Sequence, residues 1–220
     1  MKNIKIAFIN NIIIVVLTII ALIIMLTNFK FMHIPETVVE TTSLGRFKLF
    51  TIDSNILMSL SAFLFLIQQY KLMNNKIEEI EKKYYVLLLV STTSVALTFI
   101  IVLFYLGMIT PNGLLSMYTN KNLFFHGLIP LLAIVNFIFF EKSNKINTKN
   151  TLLVFIPVLL YSLFYLINIL IHMENNTVSY KYDWYHFLDG KITNLFITIP
   201  LIFGLTYLLG FTLYKLNKKD

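Results

Sequence analysis

Hydrophobic side chains run through this chain in six long blocks separated by short polar stretches, and block length sets the first expectation. A helix needs about 20 apolar residues to cross a bilayer core of roughly 30 Å. Stretches of that order lie at about 7–27, 48–70, 84–108, 123–140, 151–172 and 192–214, the fourth being the shortest. Only short loops are left over. The pattern predicts an all-α bundle of six transmembrane helices forming a single domain over 1–220. The first block follows Lys2 and Lys5, as a signal peptide would, but its core is too long and lacks a small-residue cleavage site; it reads as an uncleaved span.

Polar positions inside the blocks are few and therefore informative, because lipid offers their hydrogen-bonding atoms no partner. In the second block Thr51, Asn55 and Ser59 recur every four residues with Ser54 beside them, which places them on one helix face turned into the bundle. Asp53 points roughly the other way, towards a neighbouring helix end or water. In the fourth block His126 lies one turn inside, with Pro130 and Ala133 below it on the same face and Asn136 deeper. Pro130, Pro157 and Pro200 each interrupt one span, where the lost backbone hydrogen bond predicts a kink. Before the last block, Asp183-Trp184-Tyr185-His186-Phe187-Leu188-Asp189-Gly190 is dense in aromatics and acids. Trp184 and Tyr185 read first as an interfacial aromatic belt, and Asp189-Gly190 as a turn.

Composition agrees with the pattern: 57% of residues are apolar, 13% are charged, and the mean hydropathy is +0.76. Soluble domains carry about a quarter charged residues. With no cysteine, disulfides, thiolate nucleophiles and cysteine-ligated metals are excluded. Hydroxyl, carboxylate, imidazole and metal-water chemistry remain. Richness in Lys, Asn, Ile and Phe points to an AT-rich genome, hence to a multi-pass protein of a bacterial cell membrane.

The net charge of +7 reads as a topology signal, since cytoplasmic loops collect Lys and Arg. Twelve of the 18 basic residues fall in the amino terminus, the loops 71–83 and 141–150, and the carboxyl tail that holds Lys215, Lys218 and Lys219. Both termini are thus expected in the cytoplasm. The remaining six are Lys30, Arg46, Lys48, Lys121, Lys181 and Lys191. A basic inner face suits an anionic leaflet, so the expected partners are membrane lipids and not nucleic acid.

This topology gathers all four histidines, His33, His126, His172 and His186, near the outer surface together with Thr51, Asp53 and Asn55. Thr51 and His126 sit about one turn below the boundary on different spans. A threonine hydroxyl becomes a nucleophile when an imidazole within reach takes its proton. Asn55 is placed to donate to an oxyanion, and Asp53 or an acid of the fifth loop to orient the ring. A divalent metal among His126, His172, His186 and Asp183 or Asp53 is a weaker reading, because no two histidines have the i, i+4 ligand spacing. No cofactor is called for. The non-enzymatic alternative is a transporter, sensor or assembly factor with an outward-facing polar pocket.

Phe50-Thr51-Ile52-Asp53-Ser54-Asn55, His126-Gly127-Leu128-Ile129-Pro130 and Trp184-Tyr185-His186-Phe187-Leu188-Asp189-Gly190, in their order and spacing, resemble motifs of the androgen-induced-protein-like family of integral membrane proteins and its bacterial six-helix relatives. Animal members of that family are threonine hydrolases that cleave fatty acid esters of hydroxy fatty acids. The resemblance implies Thr51 as nucleophile and His126 as general base in a hydrolase or acyl-transfer enzyme acting on a lipid ester. Asp53, Asn55, Asp183, Trp184 and Asp189 are the supporting or substrate-binding candidates.

Overall fold

The computed structural model describes residues 2–32, 43–110, 112–175 and 177–218. The readings of His33 and Lys219 lie outside the described residues. The helices are α1 Lys2–Thr27, α2 Phe50–Met73, α3 Lys82–Ile101, α4 Ile129–Phe139, α5 Phe155–Ile171 and α6 Leu195–Asn217. Single-turn elements extend several of them. A π turn, Val102–Leu106, continues α3; another, Leu123–Leu128, leads into α4; and 3₁₀ turns, Thr148–Val154 and Ile192–Asn194, precede α5 and α6. Among the described residues there is no strand, only isolated bridges such as Thr177 with Lys191.

The chain is therefore all-α, and 5 of its helical stretches are long and apolar enough to cross a membrane: Asn3–Thr27, Phe50–Met73, Lys82–Ile109, Thr148–Ile171 and Ile192–Asn217. This is the make-up of a membrane protein. The fourth expected block forms Leu123–Phe139, an apolar helix shorter than a full span.

Apolar side chains gain nothing by leaving lipid for protein, so packing in such a bundle is set by small residues and hydrogen bonds. In α1 the buried positions Ala7, Asn11, Ile14, Thr18, Ala21 and Met25 recur at intervals of three and four, a knobs-into-holes seam. Its other faces are large and exposed, as Ile9, Ile19 and Ile23 show. Hydropathy alone hides this seam because both faces are apolar. Helix α3 is central: every residue from Leu88 to Thr98 is buried. Its hydroxyls survive there by bonding within the helix, Thr93 to Leu89 O at 2.7 Å and Ser94 to Val90 O at 2.9 Å. Gly210 of α6 lets the last helix close on the 3₁₀ turn before α5, where an added Cβ would fall 2.9 Å from Val154 Cγ1.

Side-chain amides tie together the end of the bundle that carries the termini. Asn11 Nδ2 donates to Glu141 Oε1 at 2.6 Å and to Gln69 Oε1 at 3.2 Å, while Asn136 Nδ2 donates to the same Glu141 oxygen at 2.9 Å. Asn217 Nδ2 adds α6 through the carbonyls of Phe137 and Glu141, at 2.6 and 3.0 Å. Asn11 of α1 and Asn136 of α4 thus meet at the Glu141 carboxyl group, with α2 joined through Asn11 and α6 through backbone carbonyls. Burial lifts that carboxyl from its ordinary 4.5 to about 8, against the opposing pull of the Asn11 hydrogen bond.

At the far end, the segment between α5 and α6 wraps around a second buried carboxylate. Asp183 Oδ1 accepts from Tyr165 Oη and from Phe187 N at 3.0 Å; its Oδ2 accepts from Leu188 N at 2.9 Å and Asp189 N at 3.2 Å. Three backbone donors on one carboxylate fix the turn, and Gly190 closes it at φ +77. The belt reading of Trp184 and Tyr185 is corrected here. The Asp183 turn folds both rings inward against Tyr161 and Tyr165, leaving them only 6% and 9% exposed.

Two predictions follow from these carboxyl groups. Asp183→Ala strands the donors that converge on it and is expected to destabilise the fold by about 3 kcal/mol, seen as a lower melting temperature in detergent. For Glu141 the folded state holds a proton that the unfolded chain has released between pH 4.5 and about 8, so stability falls as pH rises through that window. Glu141→Gln should flatten the melting-temperature profile there; profiles that stay parallel would contradict the assignment.

Candidate functional site

Thr51 enters α2 from an anchored turn. The 3₁₀ turn Leu44–Lys48 is pinned to the last turn of α1 by Arg46 Nη1, which donates to Met25 O at 2.9 Å. Leu49 is extended at φ -92 and ψ 126, and the helix begins at Phe50. Thr51, Ser54 and Asn55 are all buried, which matches the inward face expected of them, while Ser59 is only half-buried. Ser54 Oγ lies 3.2 Å from Thr98 Oγ1 and links α2 to α3. Asp53 faces away, exposed, in a separate groove with Leu57, Val90 and Phe164.

His126 sits on the π turn Leu123–Leu128, and Pro130 explains the turn. An α-helix would have residue 130 donate to the carbonyl of residue 126, but proline has no N–H to give, and a locally wider turn follows. The imidazole is buried, with Nδ1 2.7 Å from Met117 O. A carbonyl oxygen only accepts, so Nδ1 carries the proton. In the neutral ring Nε2 is then left with its lone pair.

Asn55 connects the two. Its Nδ2 donates to Thr51 O at 2.7 Å and across to Phe125 O at 3.0 Å, next to His126. Both amide hydrogens are engaged on carbonyls, so Asn55 is a clamp between α2 and the π turn and has none left for an oxyanion. Its Oδ1 is buried without a partner.

Thr51 and His126 line one vestibule of about 1020 Å³ at the far end, together with Arg46, Tyr105, Trp184 and Asp189. No hydrogen bond joins them. Behind Thr51 lies a second, apolar chamber of about 190 Å³ between α3, α5 and α6, lined by Leu97, Val158, Leu195 and Ile202 among others. Thr51, Leu106 and Tyr185 border both spaces and so form the septum between a polar and an apolar compartment. Tyr185 Oη is buried without a well-formed hydrogen bond. The Thr51 and Tyr161 hydroxyls are among its polar neighbours, and burial raises its phenol.

The other candidates separate. Asp183 is engaged in its backbone turn and lies outside the vestibule lining. Trp184 borders the vestibule and donates from Nε1 to Tyr161 Oη at 3.0 Å. Asp189 borders it too and accepts from Tyr180 Oη at 2.9 Å. His172 stacks on Tyr182 at 3.8 Å, with Nδ1 2.8 Å from Asn168 O. Among the described residues no three His, Cys, Asp or Glu side chains converge as metal ligands. Sequence reasoning missed Arg46, Lys121, Lys181, Tyr105 and Met117 as vestibule residues. Arg46, the only arginine in the chain, carried a usable signal, being a bidentate cation five residues ahead of Thr51, where the inward-facing helix face begins.

In comparisons with family models, with curated proteins and with solved structures, the chain finds no match.

Proposed function

We propose that the chain is a six-span protein of a bacterial cell membrane, with both termini cytoplasmic, that cleaves or transfers the acyl group of a lipid ester through Thr51 and His126. The observation that carries this reading is the septum: Thr51, with the Tyr185 phenol beside it, borders both a polar vestibule and an apolar chamber. An ester linkage joins the same two kinds of chemistry. The chamber of about 190 Å³ exceeds the ~150 Å³ that admits benzene, room for a short stretch of acyl chain. Resemblance of the three motifs to the androgen-induced-protein-like family supports the same pair.

The chemistry balances without a cofactor. Thr51 Oγ1 attacks the ester carbonyl carbon as its proton passes to His126 Nε2, directly or through one water. Collapse of the tetrahedral intermediate breaks the alkoxy C–O bond, and the leaving alkoxide takes the proton from the imidazolium. Water repeats the sequence on the acyl-threonine to release the acid; an alcohol in its place gives transfer. Met117 O holds the ring through Nδ1 and stabilises the imidazolium form. Since Asn55 is engaged, Tyr185 Oη–H is the donor that serves the oxyanion.

A second reading, a non-enzymatic ligand-binding protein such as a transporter, sensor or assembly factor, is favoured by the lack of a Thr51–His126 hydrogen bond. A fluorophosphonate probe on purified protein separates them. Labelling of wild type, lost in Thr51→Ala and slowed about 10²-fold or more in His126→Ala, is the expected result. Labelling that survives Thr51→Ala, or is absent from wild type, would sink the hydrolase. Tyr185→Phe should slow labelling by about 10²-fold yet leave the melting temperature unchanged, because its hydroxyl makes no well-formed bond in the fold.

A further inference from the structure

The vestibule is lopsided in charge. Arg46, Lys121 and Lys181 line it, and among the described residues Asp189 is its single carboxylate, already engaged by Tyr180. Lys48 adds a fourth cation at the rim, its Nζ 4.6 Å from the centre of the Trp184 ring that borders the same space. These cations are crowded: burial, and then the charge of Lys181, hold the Lys48 ammonium below its ordinary range. Arg46 gives Nη1 to Met25 O, but its Nε–H is buried without a partner, a costly state for a charged donor. A bound anion relieves both the repulsion and the stranded donor.

We propose that the vestibule grips the phosphate of an anionic glycerophospholipid between Arg46 and Lys181. A guanidinium fork with ammonium groups around it matches a tetrahedral oxyanion. Because the glycerol esters lie a few bonds from the phosphate, a head group held here brings an acyl ester to Thr51 and its chain to the apolar chamber. A zwitterionic head group would add its own cation to four already present, so anionic lipid is preferred. This substrate class rests on the acyl-ester reading of Thr51; the head-group site itself rests only on the vestibule.

Native mass spectrometry of purified protein, offered dioleoylphosphatidylglycerol, dioleoylphosphatidylcholine or inorganic phosphate, tests it. Phosphatidylglycerol should be retained in preference to phosphatidylcholine, with weakening of about tenfold in Lys181→Gln and at least as much in Arg46→Gln. Lys181 is exposed, so its variant keeps the test valid if Arg46→Gln fails to fold. Thr51→Ala should retain the lipid. Equal retention of the two lipids, or affinity unchanged in both variants, overturns the proposal, as does inorganic phosphate binding alone without lipid preference. Phosphatidylglycerol selectivity without fluorophosphonate labelling would remove the catalytic reading and leave the head-group site standing.

Discussion

The site depends on a single amide. Asn55 donates to the carbonyl of Thr51 on its own helix and to the carbonyl of Phe125 on the π turn, so one side chain fixes both halves of the candidate pair. The Thr51 carbonyl also accepts from Ser54 Oγ at 3.1 Å, so it is the Phe125 end of the clamp that ties the two elements together. The π turn leaves carbonyls outside the regular helical ladder, and in a membrane an unmet carbonyl costs several kcal/mol. Pro130 disturbs the ladder at this turn, and Asn55 supplies a donor to one of its carbonyls, that of Phe125. His126 is consequently held by the backbone on either side, through Met117 O on its ring and Phe125 O beside it.

Much of the bundle was legible because hydrophobic block length maps directly onto span length. Five of the six blocks appear as helices long and apolar enough to cross a membrane, the fourth as a shorter apolar helix, and the Thr51-Ser54-Asn55 face turned inward as its spacing required. What escaped were contacts between distant segments. Asn11, Gln69, Asn136 and Glu141 are scattered over 131 residues of chain, and nothing in their local pattern announces that they form one hydrogen-bonded network. The seam of α1 was hidden because lipid-facing and protein-facing positions are both apolar. Asp183 read as a ligand candidate, yet its turn needs a carboxylate to collect backbone N–H groups, a demand set by the fold of a loop whose conformation the residues alone do not specify.

Two buried carboxyl groups do opposite jobs at opposite ends. Glu141 joins helices through side-chain amides, where a neutral acid is at ease. Asp183 orders a loop by collecting backbone donors. Between them lies α3, most of whose buried hydroxyls bond within the helix, while Thr92 and Thr98 reach Met58 and Ser54 of α2. This leaves most of the polar demands of the bundle concentrated at its two ends, with the septum at Thr51 just inside one of them.

The short fourth segment has its own effect on the surrounding lipid. Leu123–Phe139 reaches only about 25 Å at 1.5 Å per residue, a few ångströms less than a typical hydrocarbon core of roughly 30 Å. In the proposed six-span topology, a bilayer meeting it must thin or dimple on that flank. Because His126 lies near the start of this segment, the dimple would draw interfacial water down towards the imidazole while acyl chains stay at full depth around α5 and α6. The protein would then bring water to the lipid by deforming the membrane, without having to lift the lipid out of it.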